Sequence, residues 1–123
     1  MILVDTSAWI HLLRSNGDAR VRARVERALA TGEACWCAMV RLELWNGAGG
    51  ERERKVLRDF ERSVPDLPIT AEVWNAAAEL ARNARAQAVT VPASDVLIAA
   101  TARYHGAALE TADSDFDLLP AVR

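Results

Sequence analysis

Short apolar runs alternate along the chain with longer segments in which apolar residues recur every three or four positions. Runs of the first kind are typical of buried strands, and segments of the second kind are typical of helices. The pattern predicts strands over residues 1–4, 34–37 and 107–109, with short strands around Leu67 and over residues 118–122. It predicts helices over residues 7–14, 18–29, 38–46, 51–62, 70–88 and 94–105. Because strands and helices alternate, the chain is expected to form an α/β fold with a parallel sheet.

Polar residues and glycines mark where the predicted helices begin and end. Ser7, Asp18, Thr70 and Ser94 each precede an amphipathic or apolar segment, and side chains of these types cap helix N-termini. Gly106 follows the last of these segments, at a position where glycine commonly ends a helix. The helix that begins at Ser94 is therefore expected to stop just before the last main strand.

Four acidic residues occupy related positions in this pattern. Asp5 follows the first strand, and Asp113 follows the strand over residues 107–109. Asp95 lies in the first turn of a helix, and Glu43 lies on the helix after the second strand. The carboxyl ends of parallel strands and the adjoining helix N-termini meet at one edge of a sheet, so these side chains are expected to lie together. Crowded carboxylates repel one another. A hard divalent cation, Mg²⁺ or Mn²⁺, is the economical explanation, and such a site suits phosphodiester hydrolysis.

Each acid also has an ordinary structural interpretation. An aspartate in a first helical turn commonly interacts with the helix dipole, and an aspartate after a strand commonly belongs to a turn. Glu43 lies among apolar residues, where a salt bridge to Arg41 or to another arginine would also explain it. His11 and His105 are predicted to be ordinary polar residues, so no nucleophile–histidine pair competes with the acids.

Composition and charge narrow the class of protein. The chain has 123 residues, of which 51% are hydrophobic, and this suits one compact domain over residues 1–123. The formal net charge of −2 disfavours a strongly basic nucleic-acid-binding protein, although carboxylates at a metal site would themselves lower the charge. The sequence has no run that could span a membrane and no signal peptide, so a cytoplasmic location is expected. Cys35 and Cys37 are expected to be reduced thiols in the core.

Two clusters of arginines are the main concentrations of positive charge. One lies on the second helix and comprises Arg20, Arg22, Arg24 and Arg27, and the other lies on the fourth helix and comprises Arg52, Arg54 and Arg58. Each cluster can be interpreted as a solvated helix face or as a surface that contacts phosphates. The candidates for phosphate contact are Arg20, Arg24, Arg52 and Arg58.

Three segments carry a resemblance to a known family: ILVDTSAWI at the start, VRLELWNGA in the middle, and PASDVLIAATARYHGAALETADSDF near the end. With these motifs in this order over nearly the whole length, the chain resembles the PIN-domain family, and more closely the VapC-type toxin ribonucleases of type II toxin–antitoxin pairs. The resemblance implies a three-layer α/β/α sandwich with a central parallel sheet. It also implies Mg²⁺-dependent endoribonucleolytic cleavage of RNA, a homodimer, and a cognate antitoxin that blocks the site.

The resemblance also implies roles for individual residues. The residues that match the family's catalytic acidic quartet are Asp5, Glu43, Asp95 and Asp113. Asp5 and Asp113 are expected to bind the metal directly, and Asp95 directly or through water. Glu43 is expected to bind through water or to act as general base. Asp115 matches a further acid that could hold a second, weaker metal position.

Neighbouring hydroxyl groups are expected to support these acids. Thr6, Ser7 and Thr111 match the family's supporting hydroxyls, which would orient the carboxylates by donating hydrogen bonds. Ala112 departs from the family pattern, because many members carry a basic or polar residue there. This departure is expected to alter substrate contacts without abolishing metal binding.

The tryptophans suggest interfaces with other chains. Trp9 lies on the first helix beside Leu12 and Leu13, and Trp45 and Trp74 lie on helices rich in small residues. An antitoxin is expected to lay an apolar helix near Trp9 and to reach the carboxylates with an arginine. The alternative is that Trp9 is simply part of the core.

Two other classes of function compete with the nuclease. A non-catalytic protein of the same fold would bind RNA or a partner, but it would have no need of four repelling acids. A phosphotransfer enzyme could use Asp5 as nucleophile, as haloacid-dehalogenase phosphatases do. That family requires a second aspartate where Ser7 stands and a lysine at the site, whereas Lys55 is the only lysine and lies on a charged helix.

Overall fold

A computed structural model describes residues 1–120 of the chain. The strands are β1 Ile2–Val4, β2 Ala34–Cys35 and β3 Ala108–Glu110. The helices are α1 Thr6–Leu13, α2 Ala19–Ala30, α3 Ala38–Gly47, α4 Glu51–Glu61, α5 Ala71–Ala86 and α6 Ala93–Tyr104, and a 3₁₀ helix follows over Ser114–Leu118. The six predicted helices and the three main predicted strands are therefore confirmed. Within the described residues, no helix combines the length and the apolar character needed to cross a membrane.

The three strands form one parallel sheet in the order β2-β1-β3. Ile2 pairs with Ala34 on one side and with Ala108 on the other, so β1 is the central strand. The predicted α/β fold with a parallel sheet is confirmed, and the helices complete the three layers. Since all strands run in the same direction, their carboxyl ends lie at one edge, which is where Asp5 and Asp113 follow β1 and β3.

The two short strands were predicted wrongly. Around Leu67 there is only an isolated parallel bridge between Trp36 and Asp66, because prolines on both sides of this segment supply no backbone N–H for a longer ladder. Leu118 lies in the 3₁₀ helix, and residues 119–120 are not in a strand. The rest of the predicted strand over residues 118–122 lies outside the described residues.

Helix N-termini differ from prediction at two places. Asp5, not Ser7, caps α1, because its carboxylate accepts a hydrogen bond from the backbone N–H of Ala8. Pro92, not Ser94, precedes α6, and its carbonyl accepts from the amides of Asp95 and Val96. Asp95 nevertheless lies in the first turn of α6, as predicted.

The other predicted boundaries agree with the structure. Asp18 caps α2 by accepting from two backbone amides, and Thr70 caps α5 by accepting from the amide of Val73. Gly106 follows α6 with a φ of +69°, a left-handed conformation that favours glycine. Gly17 lies so close to His11 that a Cβ atom there would fall 1.9 Å from the His11 carbonyl oxygen.

The core is built around β1 and the aromatic residues beside it. Leu3 and Val4 of β1 are fully buried. The ring of Trp9 on α1 lies 5.1 Å from that of Trp36 and 5.0 Å from that of Phe60, centroid to centroid. Such aromatic pairs bury large apolar areas and fix the relative positions of the elements that carry them. This packing holds α1 firmly at the edge of the sheet where the acids lie.

Candidate metal centre

Three carboxylates form a compact group at the carboxyl edge of the sheet. Asp95, Asp113 and Asp115 each offer an oxygen atom, and these atoms all lie within 4.8 Å of one another. Asp95 comes from the first turn of α6, and the other two come from the segment after β3. All three side chains are half-buried. A set of carboxylate oxygens at this spacing fits a hard divalent cation such as Mg²⁺ or Mn²⁺.

Asp5 lies beside this group and is held by the protein itself. Its side chain is only 2% exposed. Oδ1 accepts hydrogen bonds from the Ser7 hydroxyl at 2.8 Å and from the Ala8 amide at 2.9 Å, and Oδ2 accepts from the Thr111 hydroxyl at 2.6 Å. The structure thus brings Asp5 to the predicted edge but places it outside the group of three. Its role as a direct ligand stays a prediction.

Burial and mutual repulsion shift the pKa values of two of the acids. Burial raises the pKa of the Asp5 carboxyl, the hydrogen bonds it accepts oppose that change, and the charge of Asp113 adds to it. The pKa of Asp95 is raised to about 6. Burial is the largest cause, and the negative charges of the neighbouring acids, Asp113, Glu43, Asp5 and Asp115, raise it further. Burial and crowding thus act in the same direction on both carboxyl groups.

Glu43 lies in the middle of α3, outside the group of three, and is near enough for its charge to act on Asp95. Its Oε1 atom accepts a hydrogen bond from the Thr6 hydroxyl at 2.6 Å. The alternative of a salt bridge to Arg41 is wrong, because Arg41 instead pairs with Asp66 at 2.8 Å and with Glu61 at 3.6 Å. Within residues 1–120, Glu43 forms no salt bridge and Oε2 accepts no hydrogen bond. Glu43 is half-buried and Oε2 is not a buried unpaired atom, so solvent reaches this oxygen.

The three predicted supporting hydroxyls all contact acids. Thr6 donates to Glu43, whereas Ser7 and Thr111 donate to the two oxygens of Asp5. Ser7 and Thr111 also lie within 3.3 Å of each other. Hydrogen bonds of this kind fix the orientation of a carboxylate.

The two arginine clusters differ in how their charges are used. On α4, Arg54 and Arg58 both pair with Glu51, at 3.3 and 2.7 Å. On α2, Arg24 pairs with Glu110 at 2.9 Å, and Arg22 donates to the backbone carbonyls of residues 11 and 14. In the described part of the chain, the cluster members that form no ion pair are Arg20, Arg22, Arg27 and Arg52.

Glu110 was not singled out from the sequence, although it lies at the end of β3 next to the site. Both of its carboxylate oxygens accept from Nε of Arg24, 86 residues away in the chain. Its backbone carbonyl accepts from the amide of Asp5 at 3.0 Å. Glu110 therefore ties α2 to the strand end beside the acids. No local pattern indicates such a long-range pair.

The tryptophans divide between the core and the surface. Trp9 and Trp36 are 0% and 1% exposed, so the alternative that Trp9 is part of the core is confirmed. The antitoxin helix near Trp9 stays a prediction. Trp74 on α5 is 56% exposed and stays available for an interface. Cys35 and Cys37 are buried free thiols, as predicted.

Comparison with known proteins places the chain in a family. The PIN domain family matches residues 2–122. The chain is 33% identical over 125 residues to VapC ribonuclease Mb1587 of Mycobacterium bovis and to Ribonuclease VapC11 of Mycobacterium tuberculosis, covering 99% of this chain and 93% of each relative. It is 31% identical over 123 residues to Ribonuclease VapC18 of Mycobacterium tuberculosis, covering 97% of this chain and 87% of that relative.

Solved structures share the fold of this chain. VapBC2 from Rickettsia felis, bound to a DNA fragment from its promoter, superposes with a TM-score of 0.78 at 17% identity, over 98% of this chain and 94% of that one. FitAcB from Neisseria gonorrhoeae superposes with a TM-score of 0.72 at 23% identity, over 96% and 92%. With the family match over nearly every residue, the chain belongs to the PIN-domain family, as a member of its VapC type.

Proposed function

We propose that the protein is the toxin of a toxin–antitoxin pair, a metal-dependent endoribonuclease that acts in the cytoplasm. The observation that carries this proposal is the group of three carboxylates, Asp95, Asp113 and Asp115, at the carboxyl edge of the sheet. The named relatives are ribonucleases, and the carboxylates supply the chemistry that such an activity needs. RNA is therefore the substrate class that best fits the site.

The three grouped carboxylates would hold the metal, with Asp5 close beside them. Mg²⁺ or Mn²⁺ bound there would polarise the phosphodiester and lower the pKa of an attacking water. Glu43 has one oxygen fixed by Thr6, and its other oxygen would serve as the general base that accepts a proton from the attacking water. Asp5 presents its charge to the site while its own oxygens stay fixed by Ser7, Ala8 and Thr111.

The phosphotransfer alternative loses support from the structure. A nucleophilic Asp5 would need a free and accessible oxygen, but the side chain is 2% exposed and both oxygens accept hydrogen bonds. Lys55 pairs with Asp59 on α4 at 3.4 Å and takes no part in the acidic site. The non-catalytic alternative has no particular contact in its favour.

Purified protein incubated with labelled structured RNA tests the proposal. Cleavage is expected with Mg²⁺ or Mn²⁺ and not with a chelator, because without the metal the phosphodiester is not polarised and the pKa of the attacking water is not lowered. A phosphatase substrate in a parallel sample should stay intact. RNA that binds without being cut would favour the non-catalytic alternative, and release of phosphate would favour phosphotransfer.

Partner binding is the second element of the proposal. An antitoxin would cover the apolar surface near the site, where Leu12 and Leu13 are half-buried and Leu42 on α3 is 61% exposed. An arginine from the antitoxin would then meet the carboxylates.

The proposed homodimer would use a different surface. Trp74 and Tyr104 are 56% and 51% exposed on α5 and α6, and aromatic residues of this kind are enriched at interfaces.

For the path of the RNA backbone we propose the α2 cluster rather than the α4 cluster. Arg20, Arg24 and Arg27 follow one another at helical spacing and are exposed on the same side of α2. Arg24 reaches Glu110 at the end of β3, so this face runs toward the acidic edge. On α4, by contrast, most of the positive charge is neutralised by neighbouring acids.

Neutralising the free arginines of α2 should weaken RNA binding. With Arg20→Gln and Arg27→Gln together, the slope of log affinity against log salt should fall by about 1.4, since each contact with single-stranded RNA contributes about 0.7. Fluorescence polarisation with a labelled RNA in chelator measures binding without turnover. Arg52→Gln combined with Arg82→Gln is the matched control, because it removes the same charge from α4 and α5. An equal change of slope in both double variants would contradict the α2 path.

A further inference from the structure

Two hydroxyl groups connect Asp5 to the loop that carries the other acids. The Ser7 hydroxyl donates to Asp5 Oδ1 at 2.8 Å and accepts from the backbone N–H of Ala112 at 3.0 Å. The Thr111 hydroxyl donates to Asp5 Oδ2 at 2.6 Å and accepts from the N–H of Asp113 at 2.9 Å. Each hydroxyl therefore links one carboxylate oxygen to one backbone amide. Through the two hydroxyls, Asp5 is connected to the backbone amides of two consecutive residues, Ala112 and Asp113.

These links replace the backbone contacts that the loop lacks. β3 ends at Glu110, and within the described residues neither Ala112 nor Asp113 donates its amide to a backbone carbonyl. The next turn is fixed from inside the loop, because Asp113 Oδ1 accepts from the amide of Asp115 at 2.9 Å. The path of residues 111–115 is thus set by side-chain acceptors. Outside the loop, Asp5 holds the Thr111 side chain and Ser7 holds the Ala112 backbone.

We propose that Ser7 is a positioning residue, which holds the loop of residues 111–115 so that the three carboxylates are assembled before a metal binds. Like charges on Asp95, Asp113 and Asp115 repel one another, and a loop held only by its ends would relieve that repulsion by moving outward. The bond from Ala112 to Ser7, anchored on buried Asp5, opposes this movement. The consequence for metal affinity rests on the proposed function, whereas the consequence for the loop does not.

Amide proton exchange measured by NMR on the metal-free protein tests the positioning role. Ser7→Ala removes the acceptor of the Ala112 amide, so this amide should exchange about fivefold to tenfold faster than in the wild type, as expected for the loss of one hydrogen bond. Amides in the core of α6 should keep their rates. Ser7→Thr retains a hydroxyl and should restore slow exchange at Ala112.

Metal affinity supplies the second measurement. The dissociation constant for Mn²⁺, followed by electron paramagnetic resonance, should rise about tenfold in Ser7→Ala, since residues that orient ligands contribute effects of this size. Ser7→Thr should restore most of the affinity. Thr6→Val is the matched control for the exchange measurement at Ala112. Thr6 carries a hydroxyl next to Ser7 in the chain, but it donates to Glu43 and contacts no amide of the loop.

The two proposals can fail separately. Unchanged exchange at Ala112 in Ser7→Ala, or an equal acceleration in Thr6→Val, would overturn the positioning role even in an active nuclease. Faster exchange at Ala112 with unchanged Mn²⁺ affinity would also overturn it, because the loop would then be free to move without affecting the carboxylates. A wild-type protein that cuts no RNA, but shows the expected amide and Mn²⁺ effects, would contradict only the proposed function.

Discussion

Asp113→Asn should reduce metal-dependent RNA cleavage by about a hundredfold or more, the usual cost of removing one electrostatic group from an active site. The substitution takes a negative charge from the group formed by Asp95, Asp113 and Asp115. It should leave the loop in place, because an asparagine Oδ1 can still accept from the amide of Asp115, as Asp113 does at 2.9 Å. Initial cleavage rates with labelled RNA at saturating Mg²⁺ provide the measurement.

Asp117→Asn is the matched control for this substitution. Asp117 lies in the 3₁₀ helix that Asp113 precedes, but it is exposed and is not one of the three grouped carboxylates. The variant makes the same chemical change a few residues away, so its cleavage rate should equal that of the wild type. Wild-type cleavage by purified Asp113→Asn would remove this acid from the catalytic group. Equal losses in both variants would indicate a general effect of charge rather than a site.

Asp5→Asn is a less informative variant than the sequence suggested. From the sequence alone, the amide would be expected to remove a metal-binding charge and leave the fold intact. In the structure, both oxygens of Asp5 accept hydrogen bonds, from Ser7 and Ala8 on one side and from Thr111 on the other. An amide nitrogen cannot accept either set of bonds. A loss of activity in this variant would therefore combine a lost charge with a disturbed loop.

The approach of Asp95 to Asp113 could be predicted because it depends on local features, whereas the compact group includes Asp115 in place of Asp5 and Glu43. Asp113 follows a strand and Asp95 opens a helix, and both features are visible in short stretches of sequence. The parallel order of the strands then brings these ends to one edge. The carboxylates therefore meet without any information about long-range contacts.

The manner in which the acids are held could not be predicted from local pattern. The bond from Thr111 to Asp5 joins residues 106 positions apart, and that from Arg24 to Glu110 joins residues 86 positions apart. Such pairs depend on the packing of whole elements and leave no periodic signal. The burial of Trp9 could not be predicted for the same reason. It depends on contacts with Trp36 and Phe60, which lie far from Trp9 in the sequence.

Asp95→Asn should make the metal-free protein more stable near neutral pH. Burial and the neighbouring acids raise the pKa of Asp95 from 3.8 to about 6, so ionisation of this carboxyl opposes folding. The asparagine has no charge to ionise. Allowing for screening by solvent at a half-buried site, we expect a gain of about 1 kcal/mol and a rise of about 4 °C in melting temperature. Thermal unfolding in chelator, followed by circular dichroism, provides the measurement.

The dependence of this gain on pH identifies its cause. Below the unfolded pKa of 3.8 the carboxyl is neutral in both states, so wild type and variant should differ little. As the pH rises from 3.8 to about 6, the unfolded chain releases the proton while the folded protein retains it, and the wild type loses stability. Above this range the loss is complete and the difference between the two proteins is constant. A stabilising salt bridge at Asp95 would give the opposite sign, with the variant less stable at neutral pH.

Added metal should reverse the order of the two proteins. A cation that binds only the folded state stabilises it by about 2.7 kcal/mol at a hundredfold excess over its dissociation constant. The wild type offers the complete group of Asp95, Asp113 and Asp115, whereas the variant offers two carboxylates and an amide and should gain clearly less. The variant is therefore expected to melt above the wild type in chelator and below it in excess Mg²⁺ or Mn²⁺. Equal gains from metal in both proteins would mean that Asp95 is not a ligand. In that case, its raised pKa would reflect crowding alone, and the metal site would have to be sought among the other acids at this edge of the sheet.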